Sequence, residues 1–490
     1  MTHPRLAHFE RSPILRSIGR SLPCGLLLLS AMAWPVKAQV WEIAPSITLS
    51  ETFTDNEDLD SKGDEDPALI TELIPAISIN GETRRVTANV SAAVNLSHQA
   101  LTDEGVDTSV SLSGFSNVEF VENLFFTDVR ASVSQELIDR TESSSAASAN
   151  DENLDTVQTY EVSPYLLYDF GSFASSELRY QFGYVNSESD DFSKSFDHLA
   201  SLNMASGRDF TRILWGVGGS ARREFRKGDD NIEAYSGELA LRLVVDPTFS
   251  LLATGGYNAF DDNDGEDFSE PIWQAGFLWT PTRRTELRAQ FGRRSGFISP
   301  SVFLRYDVGT RTQFTAEYSE GLGTGQSGLI DTLSTIGQDE EGRQVNTRTR
   351  RTFQATNGAI SLDDDTARTK TGTATLSTAF GRNTATLAAT YSERNELDSP
   401  EDETTYLASL QLSRSLSRDL IGSITAEYAD SRFKDGEPDH RTYTGSVGLD
   451  YNLRENLVLF GSYSHSRRTA TSSEDEYVEN TARIGITLGF

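Results

Sequence analysis

Much of the chain alternates between apolar and polar residues. Val86, Ala88, Val90, Ala92, Val94 and Leu96 interleave with Thr87, Asn89, Ser91, Ala93, Asn95 and Ser97. Tyr235, Gly237, Leu239, Leu241 and Leu243 alternate with Ser236, Glu238, Ala240, Arg242 and Val244. Tyr443, Gly445, Val447, Leu449 and Tyr451 do so with Thr442, Thr444, Ser446, Gly448 and Asp450. Successive side chains of a strand point to opposite faces, so each stretch predicts a strand with one apolar and one polar wall. Segments 178–184, 287–291, 314–318 and 385–391 repeat the scheme, and Arg288, Glu317 and Glu427 fall on the polar phase.

Two kinds of connection alternate between these strands. Asn80-Gly81-Glu82, Glu122-Asn123-Leu124, Phe170-Gly171-Ser172, Asp246-Pro247-Thr248, Gly381-Arg382-Asn383 and Arg454-Glu455-Asn456 read as tight turns. Stretches 54–66, 137–155, 187–191, 261–270, 397–403 and 472–476 are longer and acidic. Short turns on one side and long loops on the other is the layout of a transmembrane β-barrel, whereas a soluble all-β sandwich or propeller has no need to sort its loops. The expected fold is therefore all-β: an antiparallel up-and-down barrel of about 22 strands, within 20–24, with an even number because both ends of the wall lie on the short-turn side.

Two regions stand out against this rhythm. In the last strand Val478, Ala482, Ile484, Ile486, Leu488 and Phe490 share one phase, while Thr481, Arg483, Gly485, Thr487 and Gly489 share the other. Ile484, Ile486, Leu488 and Phe490 resemble the signal that outer-membrane assembly machinery reads; the plainer reading is an edge strand that ends in Phe. Residues 321–367 are too long for an ordinary connection. There Leu329, Ile330, Leu333 and Ile336 have the spacing of a short amphipathic helix. Charges follow: Asp339-Glu340-Glu341, then Arg343, Arg348, Arg350 and Arg351, then Asp363, Asp364 and Asp365. Folded into the barrel, these would be pore-constriction residues. Outside it, they would belong to a solvated loop with an extra hairpin over 345–356.

The start of the chain assigns the compartment. Arg5, Arg11, Arg16 and Arg20 precede a short apolar core over 22–33, and Val36-Lys37-Ala38 supplies small residues for cleavage. The core is too short for a spanning helix, so residues 1–38 are expected to be a cleaved signal peptide and residues 39–490 the barrel. Cleavage would remove Cys24, the only cysteine, and with it any disulfide, thiol nucleophile or lipid anchor on cysteine. The whole sequence carries a net charge of −30, about −34 without the leader, which argues against nucleic-acid binding. Only 37% of residues are hydrophobic, a low fraction for a soluble core; a barrel needs only one apolar face per strand.

Candidate chemistry is sparse. Beyond the leader the histidines are His98, His198, His440 and His465, none in a Ser/His/Asp pattern, and no Gly-x-Ser-x-Gly elbow occurs; no enzymatic activity is expected. His440, beside acidic residues, reads as solvated. Asp262-Asn263-Asp264-Gly265 resembles part of a calcium loop, but Phe260 breaks the full pattern, so no dedicated metal site or cofactor is expected. Strand-like sequence starts directly after the expected leader, so no N-terminal plug domain is expected.

The opening strand Trp41-Glu42-Ile43-Ala44-Pro45-Ser46-Ile47-Thr48-Leu49-Ser50-Glu51-Thr52-Phe53-Thr54-Asp55-Asn56 resembles that of the PEP-CTERM system-associated outer-membrane proteins, which are of the β-barrel porin type. It departs from them in the acidic Glu57-Asp58 that follows. The resemblance implies an association with exopolysaccharide and exosortase systems and brings no catalytic residues. The reading is thus a porin-like barrel in the outer membrane of a Gram-negative bacterium, passing solutes or assisting polysaccharide export. A structural or surface-interaction barrel without conductance is the alternative. Expected partners are the lipid bilayer and lipopolysaccharide, the outer-membrane assembly machinery, and a polysaccharide or small solute.

Overall fold

A computed structural model describes residues 40–100, 105–137, 153–187, 192, 194–228, 231–262, 267–338, 344–347, 353, 365–397, 402–434, 438–473 and 475–490. The expected leader, residues 1–38, lies outside the described residues, and Trp41–Phe490 form one compact unit.

The first strands are β1 (Val40–Thr54), β2 (Ala68–Glu82), β3 (Val86–Gln99), β4 (Val106–Val121), β5 (Phe125–Leu137) and β6 (Leu154–Asp169). Then come β7 (Ala174–Asn186), β8 (Ser195–Ser206), β9 (Ile213–Arg226), β10 (Ile232–Asp246), β11 (Phe249–Asp262) and β12 (Phe268–Thr282). Next are β13 (Thr285–Arg294), β14 (Phe297–Ile298), β15 (Ser301–Asp307), β16 (Thr312–Gly323), helix α1 (Gly325–Leu333), β17 (Ile336–Gln338) and β18 (Gln344–Asn346). The last seven are β19 (Ala367–Phe380), β20 (Asn383–Glu396), β21 (Asp402–Ser415), β22 (Leu420–Phe433), β23 (His440–Arg454), β24 (Leu457–Ala470) and β25 (Tyr477–Gly489).

All except β14, β17 and β18 build one closed antiparallel barrel of 22 strands, the architecture that the alternation predicts. Closure joins β1 to β25, from Ser46 opposite Gly489 to Thr54 opposite Thr481. A barrel has no free sheet edge, so every wall strand satisfies its backbone groups within the sheet, the condition for standing in hydrocarbon.

Side-chain phase sorts the two surfaces. Leu239, Leu241, Leu243, Val447 and Leu449 are each more than two-fifths exposed, yet they share a face with Tyr235 and Tyr443. A soluble protein has no reason to expose a continuous belt of this kind; a bilayer covers it. Aromatic residues fringe the belt on both sides. Near the short turns Phe120 packs on Phe125 at 5.5 Å and Tyr168 on Phe170 at 4.7 Å. Near the long connections Tyr391 meets Tyr406 at 5.4 Å and Tyr428 meets Tyr443 at 5.1 Å. Such belts settle at the membrane–water interfaces.

Two details differ from the pattern-based reading. Asn80-Gly81-Glu82 belongs to β2, and the turn lies at 83–85, where the Val86 N–H donates to Thr83 Oγ1 at 2.8 Å. Gly81 serves close approach instead of a turn, since a Cβ there would meet the Trp41 ring at 2.4 Å. Residues 321–323 and 367 are strand, ending β16 and opening β19. A short hairpin, β17–β18, pairs Ile336 with Asn346, while most of the expected hairpin over 345–356 lies outside the described residues.

Candidate functional site

The connection between β16 and β19 is built to pack against the barrel wall. Thr324 caps α1: the Ser327 N–H donates to Thr324 Oγ1 at 3.1 Å, and the Thr324 N–H donates to Ser327 Oγ at 3.0 Å. This reciprocal cap sets the helix start. Nine residues are too few for a helix to persist alone, so tertiary packing must hold it. Leu329, Ile330 and Leu333 supply that packing at helical spacing and are at most 2% exposed. Leu329 and Ile330 cluster with Val157 of β6, Val185 of β7 and Phe192. Gly183 of β7 makes the room, because a Cβ there would lie 2.5 Å from Ile330 Cδ1.

Val157, Gly183 and Val185 lie on the polar phase of the wall, opposite in phase to the lipid-facing Leu178 and Tyr180 of β7. Polar ties extend the contact. Thr324 Oγ1 donates to Glu224 of β9 at 3.0 Å. Arg222 of β9 bonds Asp197 of β8 at 2.6 Å and reaches Asp331 at 3.4 Å. Further down the wall, Gln344 Nε2 donates to the Ser113 carbonyl of β4 at 2.9 Å. At the far end of the connection, Thr366 Oγ1 donates to Asp262 of β11 at 2.6 Å.

Of the charged residues singled out in this stretch, Asp365 is exposed just before β19. Arg343, Arg348, Arg350, Arg351, Asp363 and Asp364 lie outside the described residues. Ile484, Ile486 and Leu488 sit on the lipid-facing phase of β25, opposite Glu51, Leu49 and Ile47 of β1. The Phe490 N–H donates to the Pro45 carbonyl at 2.9 Å, and the Phe490 side chain is 70% exposed.

The polar wall divides into two chemistries. Along β5–β13 it is a lattice of ion pairs: Arg130 with Glu161 at 2.7 Å, Arg179 with Asp128 at 2.8 Å, Arg226 with Asp262 at 3.4 Å, and Arg294 with Glu238. Along β19–β25 and β1 it is mainly hydroxyls paired across strands: Thr48 with Thr487 at 2.8 Å, Thr425 with Ser446 at 2.6 Å, and Thr444 with Ser466 at 3.3 Å. Arg483 interrupts this side and is held by Glu72 at 2.8 Å and by the Ser50 hydroxyl at 3.0 Å. Glu317 of β16, Glu427 of β22 and Asp450 of β23 share the polar phase and make no ion pair among the described residues. Fixed charge without a local counter-ion on this side is therefore acidic.

Arg222, Asp197, Glu224 and Asp331 were not singled out from sequence. A usable signal was the pair Arg222-Arg223: adjacent strand residues face opposite ways, so one arginine has to point into the polar wall and find an acid. His440 departs from its expected solvation; it opens β23, is 8% exposed and lies 5.7 Å from the Phe433 ring. Asp262, from the calcium-like stretch, is engaged with Arg226 and Thr366, and residues 263–266 lie outside the described residues. In the acidic loop after β1, partial desolvation and the carboxylates Asp58, Asp64, Asp66 and Glu65 push the Asp60 carboxyl above the usual aspartate range.

Comparison with known proteins agrees with this geometry. Residues 403–490, from β21 to the C-terminus, match a family model described as "Putative beta-barrel porin 2". The fold is that of outer-membrane barrels. The siderophore receptor PirA of Acinetobacter baumannii is similar in structure, with a TM-score of 0.51 and 9% identity over 92% of this chain and 80% of that one. An enterobactin-bound mutant of the ferric enterobactin receptor PfeA of Pseudomonas aeruginosa gives 0.50 and 11% over 92% and 81%. FpvA of P. aeruginosa, bound to a heterologous pyoverdine, gives 0.50 and 10% over 91% and 72%. At these identities the likeness concerns fold alone. A search of curated proteins returns no sequence match. The lipid-facing belt and this architecture place the barrel in the bacterial outer membrane.

Proposed function

We propose that the protein is a porin-like channel for neutral and cationic hydrophilic solutes, narrowed by helix α1 and the strands β17 and β18. The observation that carries this reading is the hydroxyl-rich wall of β19–β25 and β1, on which Glu427 and Asp450 have no ion-pair partner among the described residues. A row of hydroxyls offers exchangeable hydrogen bonds to water or sugar hydroxyls, and unpaired carboxylates favour cations over anions. The packing of α1 against β6 and β7 supports a narrowed path.

The finer assignment, service to an exopolysaccharide and PEP-CTERM surface system, rests on the resemblance of residues 41–56. Deleting the gene should then lower surface polysaccharide. For the channel itself the test is single-channel recording in planar bilayers. Folded protein, verified by heat-modifiable migration on a denaturing gel, should give discrete cation-selective conductance steps. A folded sample without steps would favour a structural or surface-interaction barrel.

A further inference from the structure

The outer surface carries a feature that a solute channel does not need. On β22–β24 the lipid-facing phase is marked by Ile424, Val447 and Tyr463, each more than two-fifths exposed. Followed toward the long connections, this phase passes Tyr428 and Tyr443 and then reaches Arg432, Arg441 and Arg467. Register brings the three together: Asp430 lies opposite Arg441, and Tyr443 lies opposite Arg467. Three guanidinium groups therefore stand on adjacent strands, level with the aromatic fringe or just beyond it.

Among the described residues, one carboxylate forms ion pairs with two of the three. Asp430 accepts from Arg432 Nε at 3.0 Å and from Arg441 Nε at 3.3 Å, with the Tyr428 hydroxyl donating to it at 3.2 Å. One nearly buried carboxylate thus orients two arginines whose side chains stay more than half exposed. Arg432 also lies 5.4 Å from the Tyr406 ring centroid. Arg467 makes no ion pair among the described residues. Nearby cations on this outer face differ, since Arg368, Lys370 and Lys434 each have their own acid in Glu320, Glu393 and Asp402. Among the described residues of the outward phase of β22–β24, the three arginines face two aspartates, Asp430 and Asp439, the latter acting on Arg432.

We propose that Arg432, Arg441 and Arg467 bind the phosphate groups of a phosphorylated glycolipid of the outer leaflet. Tyrosines settle at headgroup depth, so the arginines level with them or just beyond meet the headgroups of lipids packed against β22–β24. Guanidinium forks match phosphate oxygens, and Asp430 fixes two of the forks before the ligand arrives. The site faces the side of the barrel, so its occupant approaches within the membrane plane. This assignment concerns the outer wall and stands independently of whether the lumen conducts.

The test uses full-length barrel refolded without lipid and titrated with diphosphorylated lipid A in detergent micelles. Wild type should retain the glycolipid through gel filtration, and Arg432→Gln/Arg441→Gln/Arg467→Gln should bind it at least about tenfold more weakly. Arg382→Gln/Arg454→Gln, on the opposite rim, should bind like wild type. Equal binding by the triple variant overturns the proposal. So does equal retention of fully dephosphorylated lipid A, which would mean acyl-chain packing only. Displacement by millimolar inorganic phosphate also overturns it, by making the site one for soluble anions. If the triple variant fails to fold, Arg467→Gln, which breaks no ion pair among the described residues, should weaken binding several-fold; unchanged binding refutes the site.

Discussion

Ile330 decides whether the segment after β16 holds its place. It is fully buried between α1 and the wall, with Leu329, Val157, Val185 and Phe192 around it. Truncating such a side chain to alanine costs about 2–5 kcal/mol, the transfer term plus the cavity left behind. The polar ties are weaker by comparison. Asp331 meets Arg222 at 3.4 Å with its own side chain 60% exposed, and an ion pair this exposed contributes about 0–1 kcal/mol. The Gln344 bond to Ser113 adds about 0.5–1.5 kcal/mol. Ile330→Ala should therefore shift the docked-to-undocked ratio by roughly 30-fold to several-thousand-fold, whereas Asp331→Ala should change it less than about fivefold. Ile330→Asp should undock the helix fully, because its carboxylate would be buried without a partner.

Single-channel recording separates these outcomes. Wild type should hold one main level, Ile330→Ala should flicker to a larger one, Ile330→Asp should remain there, and Asp331→Ala should match wild type. Each variant must first show heat-modifiable migration, since the barrel wall itself is untouched. If Asp331→Ala opens the channel and Ile330→Ala does not, apolar packing is not what holds the segment. If folded Ile330→Asp conducts like wild type, the segment does not limit the path.

Four further outcomes follow from the same geometry. Glu317→Gln/Glu427→Gln/Asp450→Asn should move the reversal potential in a salt gradient toward zero; an unchanged cation preference would place selectivity elsewhere. Removing Phe490 should lower the folded fraction recovered from membranes several-fold while leaving the thermal midpoint of the folded fraction unchanged, because the side chain is 70% exposed; a fall in the midpoint would make its role one of stability. Gly292→Val should destabilise the barrel by about 1–3 kcal/mol, its Cβ falling 1.9 Å from the Trp273 carbonyl oxygen, whereas Gly237→Ala, with open space around it, should be near neutral in urea unfolding. Asp60 has a raised pKa in the folded loop, so its charge destabilises that loop as pH rises from the ordinary aspartate range through the raised value, and acidification relieves it. Asp60→Asn should then slow proteolysis of the loop at neutral pH, and an equal cleavage rate would mean its charge is not felt there.

How much of this was legible in the chain depends on how local the determining physics is. Alternation along 86–96 or 443–451 is a property of neighbouring residues, and one buried or lipid-facing wall fixes the phase of a whole strand. The sorting of turns from long loops is equally local, so wall, closure and strand number follow from it. Gly81 marks where this stops: glycine reads as a turn, but its role is to admit Trp41 from the neighbouring strand, and only the register reveals that.

The interior depends on partners far apart in sequence. Arg222 and Asp331 are 109 residues apart, as are nearly Thr324 and Glu224, and no spacing rule links them. What the sequence does disclose is the need for such partners, through a charge on a strand whose alternate residues face lipid. The same reasoning divides the arginines of the last strands. Arg483 shares the phase of Thr481 and Thr487, faces the polar wall and finds Glu72, whereas Arg467 shares the phase of Tyr463 and faces the membrane. An arginine on the lipid-facing phase is costly at the bilayer centre and inexpensive at its edge, so its survival beside Tyr443 is itself a statement of depth. Arg432, Arg441 and Arg467 thus mark on the sequence where hydrocarbon ends and charged headgroups begin.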